Sequence, residues 1–296
     1  MPVVLTLVAQ DHLTLQAAIP DALEASAMAG LPVADTRVLG DGAVDLIFDG
    51  VEPNALKSHI ARALERRAVD FCVQPYEGRR KKLLIADMDS TIISCECLDE
   101  LADFAGLKGE IAAITERAMA GEIPFEAALT ERVGKLKGLA LSALQQTYDE
   151  RVRLNPGAAI LARTMRASGA HCALVSGGFG FFTRRVADAA GFNSHRANTL
   201  IDDGVRLTGA VGHPILGREA KLAALREDAA MLGVDPGDAI AVGDGANDLA
   251  MIEAAGLGIA YRAKPVVAAR ADAKVDHTDL TTLLYFQGYG ADEFRA

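Results

Sequence analysis

Apolar residues near the start of the chain fall into short, separated runs. Val3–Val8 reads as a strand and Leu15–Ala27 as a helix; Thr36–Leu39 and Val44–Phe48 read as two strands. Gly40-Asp41-Gly42 joins these two strands, and a short glycine-bearing link between such runs is a strong hairpin signal. Asn54–Arg66 has the pattern of a second helix and Val69–Gln74 that of a last strand. The order β-α-β-β-α-β predicts a ferredoxin-like α+β unit over residues 1–75.

A charged stretch, Tyr76-Glu77-Gly78-Arg79-Arg80-Lys81-Lys82, then reads as a linker over residues 76–82 into a second domain over 83–296. Leu83–Ala86 is an unbroken apolar run, as expected of a strand buried on both faces of a parallel sheet. Similar runs recur at Cys172–Val175, Ala239–Val242 and Leu257–Ala260. Amphipathic segments lie between them, each stopped by glycine: Ala158–Ser168, Phe181–Ala190, Glu219–Leu232 and Ala246–Ala255. The alternation predicts a doubly wound α/β domain. One region breaks it. Residues 97–153 carry about four helical patterns in succession, which suggests an all-helical cap inserted after the first strand.

Composition narrows the function classes. Half of the 296 residues are hydrophobic, so the chain can bury a full core. A formal net charge of −10 argues against sequence-independent nucleic-acid binding, which needs a basic face. It does not exclude a phosphorylated substrate, because a bound cation and a few basic side chains reverse the potential locally. No stretch approaches the length of a membrane span, and Gln10-Asp11-His12 interrupts the opening apolar run too early for a signal peptide. Cytoplasmic residence is the default expectation. The four cysteines are irregularly spaced and read as reduced thiols.

Chemistry concentrates where strands end, the place where open parallel sheets bind ligands. Asp87-Met88-Asp89-Ser90-Thr91 follows the first strand of the second domain. Residues two apart on an extended chain project the same way, so Asp87 and Asp89 face a common spot. Two such carboxylates repel unless a hard cation lies between them or one carries a proton. Surface turns and metal-dependent sugar transferases also show this spacing. Ser176-Gly177-Gly178-Phe179-Gly180 follows a second strand, and glycines before a helix admit an anion to backbone N–H groups; a plain strand-to-helix turn reads the same way. Gly243-Asp244-Gly245-Ala246-Asn247-Asp248 follows a third, where three oxygen-bearing side chains suit a metal or its surroundings. Lys221 is by itself an ordinary helical surface lysine.

Taken in order, these four segments resemble the motifs of the haloacid dehalogenase-like phosphatase superfamily, from about Leu83 to the C-terminus. Met88 stands where that family more often has Phe. The helical cap resembles that of members acting on O-phospho-L-serine at the end of serine biosynthesis. The resemblance implies that Asp87 takes the phosphoryl group and that Asp89 protonates the leaving oxygen and then activates water. It implies Mg²⁺ held by Asp87, the Asp89 carbonyl and Asp244, with Asp248 supporting the water shell. Ser176, the Gly177 N–H and Lys221 would bind phosphoryl oxygens, and Asn247 would contact the substrate. Glu96 would meet the substrate ammonium and Arg132 its carboxylate, with Met119 and Phe125 closing the pocket. A zwitterionic head needs one anion and one forked cation, which Glu96 and Arg132 supply.

Other readings are compatible with parts of the pattern. A phospho-accepting receiver domain shares Asp, Ser/Thr and Lys but lacks a helical cap. A pure binding protein would not need three loaded strand ends. A phosphatase or phosphotransferase of the same superfamily acting on homoserine phosphate or another small phosphate ester is the alternative. Residues 1–75 resemble the ACT module in element order, although the glycine-bearing loop expected after its first strand is not evident, and serine sensing or homodimer formation through them is an expectation. Neither nucleic acid nor membrane is expected as a partner.

Overall fold

The structure, a computed structural model, describes residues 1–119 and 122–296, and the side chain of Met119 lies outside the described part. The first seventy-five residues form β1 (Val3–Ala9), α1 (His12–Met28), β2 (Asp35–Gly40), β3 (Ala43–Phe48), α2 (Pro53–Ala63) and β4 (Val69–Pro75). The four strands make an antiparallel sheet in the order β2-β3-β1-β4. Leu5, Leu7, Leu46 and Phe48 point from one face into a core with Leu56 and Ile60 of α2. The Asp11 carboxylate accepts from the Thr14 N–H at 2.8 Å and caps α1, which is why the helix starts ahead of its apolar pattern.

The opposite face meets the rest of the molecule through Val8, Leu39, Ala43 and Cys72, which join its main core, and through a buried polar group. Thr6 Oγ1 donates to Asp45 Oδ1 at 2.6 Å, and Arg79 Nη2 donates to Asp45 Oδ2 at 2.7 Å, with both charged side chains buried. The charged stretch is therefore packed at Arg79 rather than solvated along its whole length. Asp70 of β4 accepts from the N–H groups of Asp276, His277 and Thr278 and from Thr278 Oγ1.

The remaining elements begin with β5 (Leu83–Ala86), then α3 (Cys97–Phe104), α4 (Lys108–Met119), α5 (Phe125–Lys135) and α6 (Leu141–Arg151). They continue with α7 (Ala158–Ala167), β6 (His171–Phe179), α8 (Gly180–Ala190), β7 (Ser194–Asn198), β8 (Leu200–Asp202), β9 (Leu207–Val211) and α9 (Arg218–Leu232). Last come β10 (Ala239–Gly243), α10 (Leu249–Ala254), β11 (Leu257–Tyr261), α11 (Pro265–Ala268), β12 (Ala273–Val275) and α12 (Thr282–Phe286). Six strands form a parallel sheet in the order β12-β11-β10-β5-β6-β7. β5 lies between β10 and β6, and all four of its residues are buried, which accounts for its unbroken apolar run. The three strand ends that carry the chemistry belong to these adjacent strands.

Helices α3–α6 all fall between β5 and α7. The chain leaves at Ile93 and returns at Leu154, and these two residues bridge. Asn155 staples the crossing: its Nδ2 donates to the carbonyls of Thr91 and Ile93 at 2.8 and 3.1 Å. The structure departs from the sequence expectation at several ends. β6 continues irregularly through Ser176–Phe179, so Ser176 and Gly177 lie on the strand extension and not in the first turn of α8. α10 starts at Leu249, leaving Ala246–Asp248 as a turn. β7, β8, β9 and β12 are short or at the sheet edge and carry mixed polarity, so no apolar run marks them. Among the described residues no helix is long and apolar enough to cross a membrane.

Candidate active site

The motif after β5 departs from strand geometry within a few residues. Asp87 and Asp89 both keep extended backbones, at φ/ψ −69/156° and −67/137°, and both carboxylates line one cavity. Ser90 then takes φ +56°, a conformation uncommon for a side chain larger than glycine, and turns the chain sharply into the helical segment. The Ser90 hydroxyl donates to Glu96 Oε1 at 2.7 Å, tying that turn to the start of α3.

Lys221 is the residue whose sequence context misled most. It is 2% exposed and not a solvated surface charge. Its Nζ lies 2.7 Å from Asp87 Oδ1 and 2.5 Å from Asp248 Oδ1. The Met88 N–H also donates to Asp87 Oδ1, at 2.8 Å. Asp248 is engaged on both oxygens, since Gly245 N–H donates to Oδ2 at 3.0 Å. Burial works against the ammonium, but the two carboxylates outweigh it and hold Lys221 charged to higher pH than a free lysine. Burial and the Asp248 charge push the Asp87 carboxyl upward, and Lys221 opposes them.

Asp89 is held on both oxygens. Cys97 N–H donates to Oδ1 at 2.9 Å and Ser176 Oγ donates to Oδ2 at 3.0 Å. Burial raises its pKa above the ordinary carboxylate range despite these two donors. Gly178 N–H donates to Ser176 Oγ at 2.8 Å, and a Cβ on Gly178 would lie 3.0 Å from both Asp89 Oδ2 and Ser176 Oγ. A side chain here would crowd the Asp89 and Ser176 oxygens, and glycine avoids that.

Asp87, Asp244 and Asp248 each offer a carboxylate oxygen, and these oxygens lie within 4.8 Å of one another. Thr91 Oγ1 donates to Asp244 Oδ1 at 3.1 Å. Burial, then the Asp248 charge, raises the Asp244 pKa. An all-oxygen donor set with crowded anions suits a hard divalent cation such as Mg²⁺ or Mn²⁺.

Above this base lies a cavity of about 410 Å³ that Asp87, Asp89, Gly177, Asp244 and Asn247 line from the sheet side. Glu96, Phe125 and Arg132 line it from the helical side. Ser176 and Lys221 are buried and each touches a lining carboxylate, Asp89 and Asp87 respectively. Burial, then the Asp89 charge, pushes Glu96 up to about 7, although its side chain remains accessible at the cavity mouth. Burial lowers the Arg132 pKa, and Asp99 and Glu96 counteract it. A Cβ on Gly177 would stand 3.4 Å from Phe125 Cζ, so the helical side reaches down to the floor. The expectation for Met119 falls on a side chain outside the described residues.

Sequence reasoning missed several lining residues: Lys264, Asp99, Thr115 and the apolar wall of Leu98 and Leu129. Lys264 N–H donates to the Asp244 carbonyl at 3.0 Å, which brings a second lysine to the rim. Its one local signal is the following Pro265, which marks a helix start but no chemistry.

Carboxylates gathered at the ends of adjacent strands of a parallel sheet define the class. The chain belongs to the haloacid dehalogenase-like hydrolase family, which residues 84–253 match. Within that class it is similar to proteins named phosphoserine phosphatase. The one from Archaeoglobus fulgidus is 42% identical over 77% of this chain and 67% of its own length. The one from Polaromonas sp. is 47% identical over 69% of this chain and 88% of its own. The crystal structure of a haloacid dehalogenase family hydrolase from Salmonella enterica serovar Typhi matches with TM-score 0.84 at 32% identity, covering 96% of this chain and 98% of that one.

Proposed function

We propose that the chain is a phosphoserine phosphatase, hydrolysing O-phospho-L-serine to L-serine and phosphate. The observation that carries the reading is Lys221 between Asp87 and Asp248 at the floor of a cavity whose opposite wall holds Glu96 and Arg132. The floor suits a phosphoryl group, and the opposed charges of the wall suit an amino-acid head. The relatives named above support the same substrate.

Asp87, Asp244 and the Asp89 carbonyl would hold Mg²⁺, with Asp248 committed to Lys221 and Gly245 and so supporting from behind. The ion would supply positive charge against the phosphoryl oxygens and neutralise the crowded carboxylates. Asp87 has Oδ1 tied down by Lys221 and Met88, which fixes the carboxylate for in-line attack on phosphorus. A bond from Asp87 oxygen to phosphorus forms as the serine ester P–O bond breaks. Asp89, whose carboxyl burial pushes above the ordinary carboxylate range, would give a proton to the departing serine oxygen. The same residue, now a carboxylate, takes a proton from water as that water attacks the aspartyl-phosphate, releasing phosphate and restoring Asp87. The Gly177 N–H would orient the phosphoryl oxygens, joined by the Ser176 hydroxyl when it turns from Asp89 to the incoming phosphoryl group, and Asn247 would contact the substrate. Phe125 closes the pocket on the serine side and limits water entry.

Helices α3–α6, over about residues 97–153, act as the cap that selects the substrate. Residues 1–75 form an ACT-like unit joined by residues 76–82 to the catalytic domain over 83–296. The antiparallel order β2-β3-β1-β4 with two helices on one face supports that reading. A homodimer through this unit is part of the same proposal. Four free cysteines fit a reducing compartment, and we place the enzyme in the cytoplasm.

Phosphate release from a panel of small phosphate esters, with and without chelator and with Asp87→Asn as control, tests the reading. It predicts preference for O-phospho-L-serine, dependence on the divalent ion and an inert variant. Equal turnover of homoserine phosphate or simple alkyl phosphates would remove the assigned substrate.

A further inference from the structure

Asn198, the last residue of β7, is 2% exposed and buries an amide that touches two parts of the phosphate floor at once. Its Nδ2 donates to the Gly177 carbonyl at 2.8 Å and to the Leu216 carbonyl at 3.2 Å. Its Oδ1 accepts from the Leu216 N–H at 2.7 Å. No other side chain joins these two segments in the described hydrogen bonds. Leu216 precedes Gly217, the N-cap of α9, and α9 carries Lys221 in its first turn.

The peptide unit between Gly177 and Gly178 is consequently held from both ends. Asn198 takes its carbonyl oxygen, and its N–H donates to Ser176 Oγ at 2.8 Å. With its lone pair so occupied, the Ser176 hydroxyl directs its own proton to Asp89 Oδ2 at 3.0 Å. The result is one directional chain from Asn198 Nδ2–H through the Gly177–Gly178 peptide and the Ser176 hydroxyl to the Asp89 carboxyl. Hydrogen bonds in such a chain polarise one another, and each link fixes the orientation of the next. The Leu216 arm anchors the entry of α9 to the same amide, so Ser176, Gly177 and Lys221 share one register.

We propose that Asn198 is a positioning residue for the phosphatase reaction, setting the orientation of the Ser176 hydroxyl and the Asp89 carboxyl and the placement of the Lys221 helix relative to the phosphoryl group. The proposal rests on the reading of the cavity as a phosphatase site. Asn198 touches no substrate itself. An amide is required because donor and acceptor must sit on one rigid plane. A carboxylate of the same shape would face two carbonyl oxygens and donate to neither.

Asn198→Asp and Asn198→Ala test it, with thermal unfolding to confirm that each is folded. Per folded molecule and with Mg²⁺ present, kcat for O-phospho-L-serine should fall about tenfold or more in both, the scale of losing a group that only orients the acting residues. KM should move less than about threefold, because Glu96 and Arg132 lie on the opposite wall. Orthovanadate, a phosphoryl mimic without an amino-acid head, should bind each variant about tenfold more weakly by calorimetry. If kcat and vanadate affinity stay within about twofold of wild type, or KM alone rises, the proposal is overturned. It is overturned too if Asn198→Asp, Asn198→Ala and Asn198→Ser all fail to fold, since the amide then serves the fold and not the site. A wild-type enzyme that does not turn over O-phospho-L-serine contradicts the substrate reading instead, and the vanadate comparison still decides the role of Asn198.

Discussion

Lys221 Nζ stands 2.7 Å from Asp87 Oδ1, both side chains buried, with Asp87 lining the cavity and Lys221 behind it. The pair gives the nucleophile a fixed orientation and puts a positive charge where the phosphoryl oxygens arrive. Lys221→Met keeps the volume and removes the charge. Turnover should fall by about a thousandfold, the loss associated with removing a preorganised charge partner. The variant also leaves Asp87 and Asp248 buried without their counter-ion, which costs about 3–5 kcal/mol in comparable cases. Burial raises the folded pKa of Asp87, so its destabilising charge is present above the unfolded value and relieved as pH falls. The Tm deficit against wild type should therefore be larger at neutral pH than in mild acid, as scanning calorimetry at both would reveal.

Glu96 titrates at about 7 in the free enzyme because burial and Asp89 disfavour its charge. A protonated Glu96 offers no anion to the substrate ammonium. KM for O-phospho-L-serine should rise as pH drops through that value, with kcat changing less. Glu96→Gln should show the high KM at every pH and lose this dependence. Steady-state kinetics across the window would contradict the assignment if the variant kept the wild-type profile.

The carboxylates of Asp87, Asp244 and Asp248 crowd one point, so a bound divalent ion should stabilise the fold as well as permit turnover. At a concentration one hundred times Kd the gain is about 2.7 kcal/mol, visible as an increase in Tm. Asp244→Ala should abolish that increase, and a chelator should silence the wild type reversibly. An unchanged Tm in the wild type on adding Mg²⁺ or Mn²⁺ would count against a metal at this point.

Asp70 ties the antiparallel sheet to the loop after β12 by accepting from three backbone N–H groups and one hydroxyl. Asp70→Asn replaces one acceptor oxygen with a donor that confronts other donors. A stability loss of about 2–3 kcal/mol is expected from the unpaired buried groups. Chemical denaturation measures it, and a loss under about 0.5 kcal/mol would show that the two parts do not stabilise each other through this contact.

Much of this arrangement was legible in the residues. Leu83–Ala86 announced a central strand because both of its faces are covered, and Asp87 and Asp89 announced a site because they follow it. The order of elements in the first seventy-five residues was legible for the same reason, since alternating and helical periods differ. Lys221 was not legible as a buried charge: one lysine on a helix carries no sign of which way it points. Glu96 and Arg132 gained meaning from resemblance alone, since their meeting depends on how α3 and α5 fold over the sheet. Asn198 gave no local signal whatever, because its partners lie at Gly177 and Leu216, far along the chain, and β7 is too short and polar to mark itself.

The central claim is that the phosphoryl group passes through Asp87. Radiolabelled O-phospho-L-serine mixed with the enzyme, quenched in acid during turnover and mapped by peptide should place label on the peptide containing Asp87. That label should be stable to acid and released by hydroxylamine, as an acyl phosphate is, and Asp87→Asn should carry none. Steady release of labelled phosphate with no trapped label on that peptide at any quench time, or label on a different residue, would contradict the account.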